Sequence, residues 1–171
     1  IVGGVLGGAL KQGKLKINDT IIIKPGRKIE RQGRVFWEPL KTKIVGLRTG
    51  EEVIDEIKPG GSSAILTLLD PSIVKSDNLI GSIVGFEGKM PETREEISIK
   101  VNLLERVVGT KEESIVEPIK KGESLMLNVN SSATVGLVVE QRKDSFKLRL
   151  KLPVCFSKED RITISRRIGS R

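Results

Sequence analysis

The chain has no histidine and no tyrosine, a single cysteine and few aromatic residues, and each shortage excludes a class of protein. Without histidine, imidazole can serve neither as a general base nor as a metal ligand. One cysteine, Cys155, cannot form a disulfide framework or a cysteine-rich zinc site within the chain. Aromatic residues make up only 3% of the sequence. The stacking platforms of single-strand nucleic-acid binders are therefore scarce, and Phe36 and Trp37 are the only adjacent aromatic pair.

Long hydrophobic runs are also missing, so a membrane partner is not expected. The first residues, Ile-Val-Gly-Gly, carry no basic region and do not resemble a signal peptide. They have the character of a strand interior, which suggests a piece of a longer chain. Because Cys155 is the only cysteine and lies in an apolar run, we expect a reducing, cytoplasmic compartment.

Positive charge is abundant: 30 Lys and Arg against 22 Asp and Glu give a net charge of +8 over 171 residues. A basic surface favours a polyanionic partner, most often nucleic acid, although a basic protein without such a partner is the alternative. The basic residues concentrate in residues 11–48 and 142–151 and near the C-terminus. These clusters predict salt-dependent contacts with RNA phosphates rather than reading of base sequence.

Short apolar strands separated by Gly and Pro turns predict an all-β chain of two barrels or sandwiches. The strongest strand signals are the β-branched run in residues 20–24 and the alternating segments 125–129 and 146–152. Segments 80–86 and 97–101 also have the character of strands, and residues 103–108 are expected to extend the latter. No segment keeps a helical period over three turns.

The segments between these strands carry turn signals. Residues 26–34 are predicted to be a charged loop, and residues 72–78 are the best place for a short helical turn. Residues 51–57 are acidic with apolar positions between the charges, and we predict strand there. Residues 87–94 are polar, contain Pro91 and form the expected linker between two strand-rich blocks.

The stretch Gly8–Leu15 has the G-x-x-x-x-G-K spacing of a phosphate-binding loop. Such a loop needs Ser or Thr after the lysine to hold magnesium, and here Leu15 follows Lys14. It also needs a helix whose amides face the phosphates, whereas this chain continues into a strand. The pattern therefore indicates a glycine-rich strand followed by a hairpin turn.

Two other stretches are candidate sites. The turn Lys58-Pro59-Gly60-Gly61-Ser62-Ser63 allows a ligand close to bare backbone, or is simply a tight turn, and the residues alone favour neither. Acidic residues in segment 51–56 are mixed with lysine in a polar region, so no sheltered catalytic carboxylate pair is expected. The prediction is a binding module with no catalytic residues and no metal site.

Motifs spread along nearly the whole chain resemble one family, the gamma subunits of translation initiation factor 2, with the archaeal form most similar. They occur in the family's order. They are Gly3-Gly4-Val5-Leu6-Gly7-Gly8, Gly13-x-Leu15-Lys16-Ile17, Ile21-Ile22-Ile23-Lys24-Pro25-Gly26, Lys58-Pro59-Gly60-Gly61, Leu69-Asp70-Pro71-Ser72, Asp77-Asn78-Leu79-Ile80-Gly81-Ser82, Asn102-Leu103-Leu104-Glu105-Arg106-Val107-Val108-Gly109 and Ile164-Ser165-Arg166-Arg167. The layout is more distantly similar to barrels two and three of elongation factor Tu.

This resemblance implies an all-β fold of two consecutive β-barrels, in residues 1–88 and 89–171. It implies a parent that delivers methionyl initiator tRNA to the small ribosomal subunit in a GTP-dependent way, in a heterotrimer with alpha and beta subunits. The GTPase domain, with its GTP and magnesium, is absent from this sequence, so no cofactor and no hydrolysis are expected here. The family continues past Arg171 with a closing strand, so the second barrel is expected to be open at one edge.

The resemblance also implies the site residues. The aminoacylated tRNA end would lie against the first barrel at Gly3, Gly4, Val5, Gly60, Gly61 and Ser62, and the alpha subunit would dock on loops of the same barrel. Candidates for facing RNA are the basic residues Lys24, Arg27, Lys28, Arg31, Arg34, Arg166 and Arg167. The alternative is a structural or protein-docking double barrel with no RNA affinity of its own.

Overall fold

The structure, a computed structural model of the chain, describes residues 3–104 and 116–166. The chain divides into two compact units, residues 1–92 and 93–171. In the described residues of both units the regular structure is mostly antiparallel strands in curled sheets, which confirms the prediction of an all-β fold.

The described part of the first unit contains eight strands. They are β1 (Val5–Ala9), β2 (Leu15–Lys16), β3 (Thr20–Arg31), β4 (Arg34–Thr49), β5 (Glu52–Ile54), β6 (Glu56–Ile57), β7 (Ser62–Thr67) and β8 (Ile83–Gly85). One sheet runs in the order β1-β7-β4-β3-β8 with β5 added on β4, and β2 and β6 form a separate two-stranded ribbon. The segment after Gly13 thus leads into a strand, as predicted when the phosphate-loop interpretation was rejected.

Aliphatic side chains fill the core of the first unit. One cluster contains Leu15, Ile21, Ile44, Leu47 and Ile57, and Ile21 and Ile44 are completely shielded from solvent. A second cluster gathers Ile23, Leu40 and Leu69. Burying one such side chain contributes about 1.5–3 kcal/mol, so aliphatic residues alone can support the fold without aromatic ones.

Residues 26–34 are not a loop, contrary to the prediction. Strand β3 continues through Pro25 and Gly26 to Arg31, and β4 returns from Arg34. A break in register between Ile23 and Arg27 separates the core part of this hairpin from its outer part. We call the outer part, residues 27–38, the arm. None of its residues is buried, so it lacks the hydrophobic alternation by which a strand is recognised in a sequence.

A short helical turn follows β7 and begins one residue before the range predicted for it, residues 72–78. Helix α1 (Pro71–Val74) has Asp70 as its N-cap, whose Oδ1 accepts from the Ser72 amide at 2.8 Å. One turn of 3₁₀ helix, Lys75–Asp77, comes next. Val74 is partly buried and packs against the cluster of Ile23, Leu40 and Leu69.

In the second unit, residues 93–104 and 116–166 form five strands in the sheet order β13-β10-β11-β12-β9. They are β9 (Thr93–Lys100), β10 (Ser124–Val129), β11 (Ser132–Arg142), β12 (Ser145–Cys155) and β13 (Ile162–Ser165). Alternate residues point inward, as the sequence pattern predicts. Leu125, Leu127 and Leu148 are fully buried, and Cys155 is a buried free thiol.

Three predicted segments differ from the structure. The strand predicted for residues 80–86 is confined to Ile83–Gly85, because residues 78–82 form turns. The predicted linker 87–94 ends inside β9, which already begins at Thr93. Residues 103 and 104 are not in a strand, and the rest of the extension predicted for 103–108 lies outside the described residues.

Candidate nucleic-acid interface

Gly3 and Gly4, predicted to face the tRNA end, are buried within the first unit. A Cβ atom built on Gly3 would lie 1.7 Å from the carbonyl oxygen of Thr67, and one built on Gly4 would lie 2.8 Å from Cγ2 of Val74. The Gly4 amide donates to the Leu69 carbonyl at 2.7 Å, and the Gly4 carbonyl accepts from the Thr67 amide at 3.0 Å. These glycines let the chain pack against itself, and their backbone is not open to a ligand.

Val5 is exposed, but it lies apart from the turn at residues 60–62. In the antiparallel pair of β1 and β7, Val5 is opposite Leu66, whereas Ala9 is opposite Ser62. Four residues of strand, roughly 13 Å, separate these two positions. The structure therefore places Val5 and the 60–62 turn at opposite ends of one strand pair and does not bring them together.

The turn at residues 60–62 is open. No heavy atom lies within 4 Å of a Cβ atom built on Gly60 or Gly61, and Ser62 is exposed. Two consecutive peptide groups are thus accessible to a ligand, with a hydroxyl beside them. Of the residues predicted to hold the tRNA end, these three and the separate Val5 are the ones that the fold leaves accessible.

Sequence reasoning missed a lysine cluster beside that turn. Strands β2 and β6 pair so that Lys16 is opposite Glu56. The Glu56 carboxylate lies 3.3 Å from Nζ of Lys16, 3.2 Å from Nζ of Lys58 and 3.9 Å from Nζ of Lys14. Hydrogen bonds from Lys58 and Lys16 hold the pKa of Glu56 below its usual range. Three lysine side chains thus surround one carboxylate. The sequence pattern that could have predicted this cluster is the position of Lys14 and Lys16 on either side of the inward-facing Leu15.

Lys24 is half-buried at the base of the arm rather than freely exposed. Its Nζ donates to the carbonyl of Pro91 at 3.5 Å. The side chain lines a surface pocket of about 240 Å³ together with Ile22, Phe86 and Met90. Its charge is therefore directed along the surface of the unit and not along the arm.

The arm carries the remaining basic candidates of the first unit. The Arg27 guanidinium forms a double contact with Oε2 of Glu38, at 2.7 Å from Nε and 2.6 Å from Nη2. Lys28, Arg31 and Arg34 are exposed, and within residues 3–104 and 116–166 none of them has an ion-pair partner. The free positive charge of the arm thus lies towards its tip.

Arg166, by contrast, is used inside the second unit. Its Nε donates to Oε1 of Glu123 at 2.6 Å, and its Nη atoms donate to the carbonyls of Glu117 and Pro118. Partial burial acts to raise the pKa of Glu123, but the hydrogen bonds from Arg166 and the Lys120 amide lower it below its usual range. With only 16% of its side chain exposed, Arg166 ties β13 to the segment before β10. Arg167 lies outside the described residues.

Sites typical of other protein classes do not occur in the described ranges. No group of three or more His, Cys, Asp or Glu side chains is placed there to hold a metal ion. No helix in those ranges is long and apolar enough to cross a membrane. In the acidic segment, Glu51, Glu52 and Asp55 are exposed and form no sheltered pair.

Comparison with known proteins identifies the family to which this chain belongs. The family described as "Initiation factor eIF2 gamma, C terminal" matches residues 95–171. The translation initiation factor 2 subunit gamma of Methanocaldococcus jannaschii is 50% identical over 169 residues, which are 99% of this chain and 41% of that protein. The chain belongs to the initiation factor 2 gamma family.

Other initiation factor 2 gamma subunits agree. That of Methanococcus maripaludis is 49% identical over 99% of this chain, and that of Pyrococcus horikoshii is 48% identical over all of it. The chain spans about two fifths of the length of these curated relatives, 41% and 42% respectively. The resemblance carried by the sequence motifs is thereby confirmed, and the matched family description refers to the C-terminal part of the subunit.

Proposed function

We propose that this chain is the non-catalytic portion of an initiation factor 2 gamma subunit that takes part in GTP-dependent delivery of methionyl initiator tRNA to the small ribosomal subunit. The observation that carries the proposal is the near-50% identity to gamma subunits along the whole chain. The net charge of +8 suits an RNA ligand. GTP and magnesium belong to the rest of the parent protein, which acts with alpha and beta subunits in the cytoplasm.

In this proposal the first unit helps to hold the aminoacylated end of the tRNA at residues 60–62. The open peptide groups of Gly60 and Gly61 can donate to phosphate or ribose oxygens, and the Ser62 hydroxyl can do the same. Lys14 and Lys58 of the lysine cluster add positive charge next to this turn. Gly3 and Gly4 act indirectly, because they allow close packing at the start of β1 that stabilises the unit.

The chain performs no chemistry of its own. It lacks histidine, and its single thiol, Cys155, is buried. The stretch Gly8–Leu15 runs through β1 into a turn and then β2, so no helix follows whose amides would face a phosphate. Docking of the alpha subunit on the first unit is part of the same proposal.

Equilibrium binding of initiator tRNA to the chain, titrated with salt, tests the proposal. We expect measurable affinity at low ionic strength that falls with a log–log slope of about 0.9 for each phosphate neutralised in a duplex. Labelled GTP, tested under the same conditions, should not bind. Absence of tRNA binding even at low salt would contradict an RNA role for this chain.

A chimaera tests the role of the chain in the parent. The chain replaces the matching segment of the Methanocaldococcus jannaschii gamma subunit, and tRNA binding is measured with GTP and the other two subunits. Retained binding is expected, because 169 residues align at 50% identity. A chimaera that folds and binds GTP but not initiator tRNA would contradict the proposal.

A second candidate function, protein docking without RNA affinity, is favoured by one observation in the second unit. Met126 and Val135 are opposite each other on β10 and β11 and are 55% and 38% exposed, and Leu137 on the same face is 40% exposed. An apolar group on the outer face of a sheet is a common mark of a protein interface. The salt titration separates the two functions, since protein docking alone predicts no binding of tRNA.

A further inference from the structure

The arm presents an ordered set of side chains on one face. Directly opposed residues of an antiparallel pair lie on the same side of the ribbon. From base to tip, the pairs on this side are Arg27 with Glu38, Ile29 with Phe36, and Arg31 with Arg34. We call this side the arginine face. The other side carries Lys28 opposite Trp37 and Glu30 opposite Val35.

The two arginines at the tip are an unfavourable pair in the isolated chain. Arg31 and Arg34 are opposite each other across the Gln32–Gly33 turn, and like charges so placed destabilise a hairpin. Within the described residues neither has an ion-pair partner, whereas Arg27 on the same face is matched by Glu38. An anion bound between the two guanidinium groups would relieve this repulsion and accept their hydrogen bonds.

Phe36 lies one pair below the arginines. It is 50% exposed, although it is one of only four phenylalanines in the chain. Two residues along a strand, roughly 7 Å, separate it from the arginine pair. A nucleotide has the same division into an apolar base and a charged phosphate, and protein surfaces commonly bind unstacked bases on aromatic rings next to arginine.

We propose that the arginine face binds RNA at an unpaired nucleotide, whose base stacks on Phe36 and whose phosphate lies between Arg31 and Arg34. This proposal rests on the RNA-binding function proposed above and specifies a second contact. The lysine cluster and the 60–62 turn do not contribute to it. An acidic protein segment could satisfy the two arginines, but it would gain nothing specific from a flat aromatic ring beside them.

The test measures binding of the full chain to initiator tRNA and to an unstructured RNA dodecamer. Phe36→Leu removes stacking but not charge, so we expect about tenfold weaker binding with an unchanged salt slope. The double variant Arg31→Gln, Arg34→Gln should weaken binding and reduce the log–log slope on the dodecamer by about 0.7, because the pair neutralises one single-strand phosphate. Val35→Thr, on the opposite side of the arm, is the matched control and should change affinity less than twofold.

The possible results separate this inference from the proposed function. If the chain binds tRNA but the Phe36 and arginine variants bind like the wild type, the inference is wrong and the proposed function stands. If the chain binds neither RNA at low salt, the inference is also wrong, and the chimaera still decides the proposed function. If the arginine variant instead loses binding to a poly-glutamate peptide and keeps RNA binding, the arm is a protein-docking element. Because no arm residue is buried, far-UV circular dichroism should be the same for all variants.

Discussion

Substituting Gly4 by alanine tests whether this residue serves packing or ligand binding. The new Cβ would lie 2.8 Å and 2.9 Å from the two methyl groups of Val74, closer than real Cβ contacts. Gly4 does not have a positive φ, so alanine causes no backbone strain and the cost is steric alone. Overpacking of this kind costs about 1–3 kcal/mol in the free energy of unfolding.

A double-mutant cycle with Val74→Ala measures how much of this cost comes from the contact between residues 4 and 74. Val74→Ala alone removes two partly buried methyl groups, which costs about 1 kcal/mol. In that background the Cβ atom introduced by Gly4→Ala has space, and replacing glycine then stabilises the chain by about 0.4–1 kcal/mol through the unfolded state. We therefore expect Gly4→Ala to change from destabilising to neutral or stabilising, with a coupling energy of about 2 kcal/mol.

Urea unfolding followed by fluorescence is a suitable assay, because Trp37 is the only tryptophan and lies in the first unit. A Gly4→Ala variant that costs the same with and without Val74 would refute the packing explanation. Weaker tRNA binding without any loss of stability would also refute it and would return Gly4 to the ligand site.

Two further predictions concern the second unit. Arg166→Met should lower the free energy of unfolding by about 2–3 kcal/mol, because it leaves Oε1 of the partly buried Glu123 and two carbonyls without their donor. Arg149→Met, at an exposed ion pair, should cost less than about 1 kcal/mol. Because the pKa of Glu123 is lowered in the folded chain, its contribution is present above its unfolded pKa and is lost as the pH falls through its folded pKa, so the Arg166→Met deficit should shrink in acid. Gly136→Ala would place a Cβ atom 2.9 Å from Cδ1 of Leu127 and should cost about 1–3 kcal/mol. Urea unfolding followed by circular dichroism checks all three variants, and an Arg166 deficit that grows as the pH falls through the acid range would contradict the assignment.

The sequence predicts best those elements that have one face in a core. Residues 125–129 alternate in hydrophobicity, and Leu125, Leu127 and Val129 are all buried on one side of β10. Residues 26–34, which include most of the arm, were predicted to be a loop for the converse reason. With both faces in solvent, the arm is determined by backbone pairing and by Gln32 and Gly33, which adopt positive φ angles at the turn.

The candidate site was predictable only in part. The open turn at Gly60 and Gly61 follows from local sequence, since consecutive glycines leave backbone bare. The burial of Gly3 and the internal use of Arg166 depend on residues distant in sequence, Thr67 for the first and Glu123 for the second. These contacts form only after the strands have assembled, so the positions of glycine and arginine in the sequence do not predict them.

Strand β3 is subject to two different constraints along its length. In its first half, Ile21 and Ile23 are completely buried, so a change at either residue affects the stability of the whole unit. Its second half lies in the arm, where a substitution away from the core usually changes stability by less than about 0.5 kcal/mol. Gly26 marks the change, because a Cβ atom there would lie 2.0 Å from the carbonyl oxygen of Glu38. Beyond Gly26 the chain can vary its surface chemistry over generations at little risk to folding, so the arm is the part of this strand most free to adapt to a changing partner.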